Sequence, residues 1–137
     1  MSKLFTLTEA ASIAIHGMIL IANAKSKESV NVNYIAEMTL SSRHHVAKVF
    51  QRMVKKGYVS SSRGPLGGFY LKVDPTELSL LDIYETIEGE VEIHDCPLNK
   101  EICSFGLCIF ENKIKDLTIE LRDYLKEKTL ANYVEDK

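Results

Sequence analysis

Residues 41–71 read SSRHHVAKVFQRMVKKGYVSSSRGPLGGFYL. Val46, Val49, Phe50, Met53 and Val54 fall at i, i+3, i+4, i+7 and i+8, the apolar stripe of an amphipathic helix. Ser41 or Ser42 suits its N-cap, and Gly57 suits the residue just past its end. At about 100° per residue, the face opposite the stripe carries His44, Lys48, Gln51 and Lys55, with Arg43, His45 and Arg52 on the flanks. Two short β-prone runs follow, at 58–62 and 68–73. Between them lies the tip Arg63-Gly64-Pro65-Leu66-Gly67-Gly68. Its glycines invite comparison with phosphate-cradling loops, but it lacks a Gly-Lys-Ser/Thr ending and does not lead into a helix. A β-hairpin is the better reading.

Upstream, residues 7–24 form a predicted helix. Thr6 or Thr8 serves as its cap, and Glu9 suits its first turn. Ile13, Met18, Leu20 and Ile21 face a core. A polar break, KSKES, leads to a shorter helix over 32–38 with Ile35, Ala36 and Met38 apolar, and Leu40 to Ser42 make a turn. Helix, short helix, turn, cationic helix, basic hairpin is the order of a winged helix-turn-helix. The fold class expected is mainly α with a small β-hairpin, with the winged helix-turn-helix in residues 1–75.

Charge agrees with that order. The whole chain has 17 basic and 19 acidic residues. From Ser41 to Lys72, however, there are seven basic residues and no carboxylate, so the remainder carries a net charge of −9. A basic surface on an acidic body points to nucleic acid; the plain alternative is a solvated face that happens to be basic. Candidate DNA contacts are Ser41, Ser42, Arg43, His44, His45, Lys48 and Arg52 on the helix, and Arg63, Gly64, Gly67 and Gly68 on the hairpin. Arg43 offers two donors to a guanine, and Arg63 suits a phosphate or a narrow minor groove. For His44 and His45, ordinary helix surface is the competing reading.

After Asp74-Pro75 a helix is expected over 78–87, ending at Gly89. Residues 90–105 have no periodicity. Then Leu107, Phe110, Ile114, Leu117, Leu121 and Tyr124 are spaced 3, 4, 3, 4, 3, a heptad-like seam. It packs on its own domain or on a twin helix in a homodimer; two half-sites favour the dimer. Residues 76–137 thus hold an irregular segment and a long C-terminal dimerisation helix.

All three cysteines, Cys96, Cys103 and Cys108, lie in the stretch HDCPLNKEICSFGLC at 94–108. The chain has no apolar run near the roughly 18 residues of a membrane span and no signal-peptide pattern at its start. A cytoplasmic location, away from membranes, is therefore expected. Thiols there stay reduced, and an odd count argues against a disulfide framework. What remains is a metal site, a redox switch, or core packing, for which Cys108 between Leu107 and Ile109 is the best case. Zinc is disfavoured by the absence of a C-x2-C pair. No nucleophile–base–orienter set, nucleotide loop or HExxH motif is present, so the chain is not read as an enzyme.

Residues 41–71, together with LSLLDIYETIEG at 78–89 and KTLANYV at 128–134, resemble the Rrf-type winged-helix transcriptional regulators of bacteria, which include IscR, NsrR and CymR. The likeness covers nearly the whole chain, and Arg-Gly-x-x-Gly-Gly at 63–68 is its most specific part. It implies a homodimer joined through the C-terminal helix on a palindromic double-stranded DNA operator. It also implies an iron–sulfur cluster, 2Fe–2S or 4Fe–4S, on Cys96, Cys103 and Cys108, thiolates being soft ligands suited to such clusters. The signal implied is nitric oxide, redox or iron–sulfur status. Family members without a cluster answer to thiol oxidation or a partner protein instead. The spacing C-x6-C-x4-C departs from the more usual C-x5-C-x5-C, and Glu111 stands where some members place histidine. Candidates for a fourth ligand are Glu111, Glu9 or His16 from the first helix of the partner subunit, and His94 or Asp95 nearby.

Overall fold

Thr8 sets the start of the first helix. Its hydroxyl accepts the N–H of Ala11 at 3.1 Å, and Glu9 follows in the first turn. The helix, α1, spans Glu9–Asn23. The computed structural model describes residues 2–24, 28–65, 67–96 and 105–135, which leaves KSKES in part, Leu66 of the hairpin tip, and Cys103 outside the described residues.

Helix α2 (Val32–Thr39) is capped by the Asn31 side chain, which accepts the N–H of Tyr34 at 2.8 Å. It closes on Leu40 in the left-handed conformation, φ 55°. Leu40 N–H bonds the Glu37 carbonyl at 3.4 Å and Ser41 N–H the Ala36 carbonyl at 2.9 Å, the paired bonds of a Schellman closure. Helix α3 (Arg43–Lys56) starts at once: Ser42 Oγ accepts the N–H of His45 at 3.1 Å. Lys55 and Lys56 in its last turn complement the negative end of the helix dipole. It ends on Gly57, φ 88°, with the same pair of closing bonds, here to Val54 and Met53.

Strands β1 (Val59–Ser62) and β2 (Gly68–Leu71) pair antiparallel, with Val59 opposite Leu71 and Ser62 opposite Gly68. One residue from outside the hairpin joins them: Val30 exchanges both backbone hydrogen bonds with Phe69 at 2.8 Å. That approach requires glycine at 68, since a Cβ there would lie 2.5 Å from the Val30 carbonyl oxygen. The wing is thereby sewn to the segment that leads into α2.

The core gathers around α1. Phe50 of α3 is fully buried, its ring 5.1 Å from that of Phe69 on the wing. Ile13, Met18, Ile35, Val46, Met53, Val59 and Ile83 are buried with it. Gly17 of α1 faces the Phe50 ring so closely that a Cβ would stand 2.5 Å from Phe50 Cζ. Helix α4 (Leu80–Glu88) begins with a reciprocal Ser79–Asp82 capping box and packs on α1 and α3. Helix α5 (Lys113–Glu127) packs on α4. A 3-10 turn, Leu130–Tyr133, then returns to the core: Leu130 is fully buried, and Ser79 bridges Thr129. Asn23, at the end of α1, donates to the Tyr133 carbonyl and accepts from the Glu135 N–H. Residues from both halves of the sequence thus share one core cluster. Among the described residues no helix is long and apolar enough to cross a membrane.

Ile35 and Ala36 form the buried side of the short α2, and Met38 is 55% exposed. One expectation is corrected. The C-terminal helix begins at Lys113, so Leu107 and Phe110 lie ahead of it. The reason is local: Glu111 and Asn112 are both left-handed, φ 51° and 61°, and interrupt any helix there. The seam on the helix itself consists of Ile114, Leu117, Leu121 and Tyr124.

Gly17→Val drives two methyl groups into the Phe50 ring in a closely packed core. It is expected to destabilise the fold by about 1–3 kcal/mol, read as a lower urea midpoint at unchanged slope.

Candidate nucleic-acid interface and thiol segment

Helix α3 keeps its apolar stripe inward, and the opposite strip is exposed: Arg43, His44, Lys48, Gln51 and Lys55. Arg43 is oriented by a neighbour, its Nη1 donating to Asn33 Oδ1 at 3.0 Å. The bond holds the guanidinium beside the N-terminus of α3 and leaves its remaining donors for another acceptor. The Ser42 hydroxyl is committed to the cap, and Ser41 Oγ donates to the Thr39 carbonyl at 3.2 Å. Both serines therefore shape the turn as well as standing at the surface.

Two of the flanking residues bond to neighbouring helices. His45 Nδ1 lies 3.2 Å from Glu9 Oε1 on α1. Arg52 Nη2 donates to the Thr86 carbonyl on α4 at 2.8 Å. Arg63 and Gly64 are exposed on the wing, with Gly64 at φ 98°. Gly67 N–H bonds the Gly64 carbonyl at 2.9 Å, and a Cβ on Gly67 would collide with the Ser62 carbonyl at 2.5 Å. Glycine at 64, 67 and 68 thus sets the shape of the tip that presents Arg63. Asn33 and Val30 were not legible as site residues; each acts on a partner distant in sequence and carries no local motif.

The thiol segment is pinned at both described ends. Val91 N–H donates to Glu85 Oε2 on α4 at 2.6 Å. Further on, Lys115 Nζ in the first turns of α5 lies 2.6 Å from Asp95 Oδ1. Cys96 is next in sequence, and it is half-buried. On the other side, Cys108 is half-buried in the turns that lead into α5, where its carbonyl accepts the Glu111 N–H at 3.0 Å. Cys96 thus follows a residue tied to the first turns of α5, and Cys108 lies in the turns just ahead of that helix. Thiols are donors of the soft type that suits an iron–sulfur group.

The candidate fourth ligands are dispersed. Glu111 is exposed in its left-handed turn three residues past Cys108. His94 Nε2 is 3.0 Å from Glu92 Oε2, and Asp95 is held by Lys115. On α1, Glu9 is paired with His45, and His16 Nδ1 lies 2.7 Å from the Ser12 carbonyl. Among the described residues no three His, Cys, Asp or Glu side chains form a metal-holding group.

Part of the apolar seam of α5 is open to solvent. Leu117 is 37% exposed and Leu121 53%, and no residue of α5 is buried. With Phe5, Leu7, Tyr84 and Leu125 they line a groove of about 420 Å³.

The sequence pattern of the Rrf2 family, described as an iron-dependent transcriptional regulator, matches residues 7–136. The chain is 27% identical over 133 residues to the HTH-type transcriptional regulator NsrR of Bacillus subtilis, covering 96% of this chain and 91% of that protein. It is 31% identical over 108 residues to a putative HTH-type transcriptional regulator of Aquifex aeolicus, covering 77% and 75%. Among solved structures it resembles CymR, the global cysteine regulator of B. subtilis, with a TM-score of 0.75, 19% identity, and coverage of 96% and 100%. IscR of T. potens gives a TM-score of 0.72 at 21% identity, covering 94% of this chain and 85% of that one.

The Lys115 ammonium, by hydrogen bond and charge, holds the Asp95 carboxyl below its ordinary range. The contribution of this pair is therefore full above the ordinary carboxylate pKa and is lost as pH falls through the lowered folded value. Asp95→Asn should mimic that loss at neutral pH. Faster amide exchange at 91–96 and 107–113, with little change in melting temperature, is the expected result, since an exposed pair adds little to global stability.

Proposed function

The chain belongs to the Rrf2 family of transcriptional regulators, and from that premise we propose that it is a homodimeric DNA-binding switch whose three cysteines hold an iron–sulfur cluster. The observation that supports the reading is the tie of Asp95, next to Cys96, to Lys115 of α5, with Cys108 in the turns that lead into the same helix, whose Leu117, Leu121 and Tyr124 are exposed among the described residues. Two copies covering those three residues with each other present two α3 helices to a palindromic double-stranded operator. Arg43 and His44 address base edges, while Lys48, Lys55 and Arg63 address phosphates.

In this reading Cys96, Cys103 and Cys108 are the protein ligands. Glu111, Glu9, His16, His94 and Asp95 are the candidates for a fourth. When bound, such a cluster supplies a centre that reacts with nitric oxide or oxygen and is lost when iron is scarce. The chain's own residues carry the response. Asp95 and Lys115 tie the thiol segment to α5, and α5 packs on α4. Glu85 of α4 holds the segment's start, and Thr86 of α4 holds Arg52 of α3. A shift at the thiols thus bears on the angle of the recognition helix through a continuous series of contacts. The switch requires that the two DNA-binding states hold the cluster with different affinity.

Anaerobic purification with iron and sulfide analysis, alongside binding to a selected duplex at fixed salt, tests the proposal. A brown protein with matched iron and sulfide is expected. Cys103→Ala should bleach it and change operator affinity tenfold or more, equivalent to about 1.4 kcal/mol. A protein that stays colourless after reconstitution yet binds duplex overturns the cluster and leaves a regulator controlled by thiol oxidation or a partner. For the dimer, Leu121→Glu places a charge in the proposed interface. Sedimentation should show a monomer, with helix content retained and duplex affinity sharply reduced.

A further inference from the structure

Leu40 carries two unfavourable features that the fold of the chain does not recover. Its backbone is left-handed at φ 55°, a conformation that disfavours any residue with a Cβ apart from Asn or Asp. Its side chain is 93% exposed and contributes nothing to the core. The closure itself does not call for leucine. Seventeen residues later the chain makes the same paired bonds with Gly57, the usual residue for this motif.

The position of Leu40 suggests what the side chain is for. It directly precedes Ser41 and Ser42, which open α3, and exposed Arg43 and His44 follow. The N-terminal residues of such a helix face base edges. From Ser41 to Lys72 there is no carboxylate, so the surroundings favour a polyanion. On the major-groove edge of B-DNA the apolar group is the 5-methyl of thymine. We propose that Leu40 is a specificity-determining residue that packs against the methyl group of a thymine next to the base addressed by Arg43. The assignment rests on α3 being the DNA-recognition helix.

The intact protein would first select duplexes from a randomised double-stranded library. Each thymine of the selected site is then replaced by uracil, which removes the methyl alone. One thymine per half-site is expected at which the replacement weakens wild-type binding about fourfold. Leu40→Gly and Leu40→Ala should bind the parent site more weakly and be indifferent to that replacement. Leu40→Gly should also melt about 2–4 °C higher, because the left-handed strain is relieved; this separates lost contact from lost folding. Wild-type affinity and an unchanged uracil profile in Leu40→Gly would overturn the assignment while leaving α3 as the recognition helix. Failure to enrich any sequence would overturn the recognition helix itself, and the Leu40 assignment with it.

Discussion

Everything that the surface of this protein presents depends on where Phe50 sits. The ring is wedged between Gly17 of α1 and Phe69 of the wing. Because Phe50 belongs to α3, that contact fixes the roll of the helix about its own axis, and with it which residues face outward. It also fixes the distance from α3 to the wing, since Phe69 is held in turn by Val30. Interiors packed this closely transmit small displacements instead of absorbing them. A helix mounted in this way is held rigidly, and a change in its pose must come from the elements it rests on.

The legible part of the sequence was the part whose structure is locally determined. The apolar stripe of α3, its serine cap and Gly57 state a helix and both its ends within sixteen residues. The wing follows from two β-prone runs about a glycine-rich tip. The C-terminal helix was harder, because spacing alone extended its seam back to Leu107. Glu111 and Asn112 stop it through backbone conformation; Asn tolerates that conformation, but nothing about Glu marks it in the sequence. The bonds of His45 and Arg52 were likewise invisible, since Glu9 and Thr86 lie on other helices. Asn33 escaped notice for the same reason. Spacing gives the face of a helix but not the individual partners of its flanking residues.

The thiol segment is fastened through Val91 to Glu85 and through Asp95 to Lys115. Both contacts end on elements of the fold, Glu85 on α4 and Lys115 on α5. The exposed part of the apolar seam belongs to α5 as well, so the same short region touches both the proposed ligand site and the proposed subunit contact.

The clasp between Asn23 and residues 133–135 bears on how the protein is made. Leu130 and this clasp close the core around α1 from more than a hundred residues away. During synthesis the chain emerges from its N-terminus at about 5–20 residues per second. The helix-turn-helix and wing are therefore outside the ribosome well before the segment that completes their packing. Nascent chains hold a partly exposed core for several seconds, and the DNA-reading surface gains its final rigidity only after residues 129–135 have emerged.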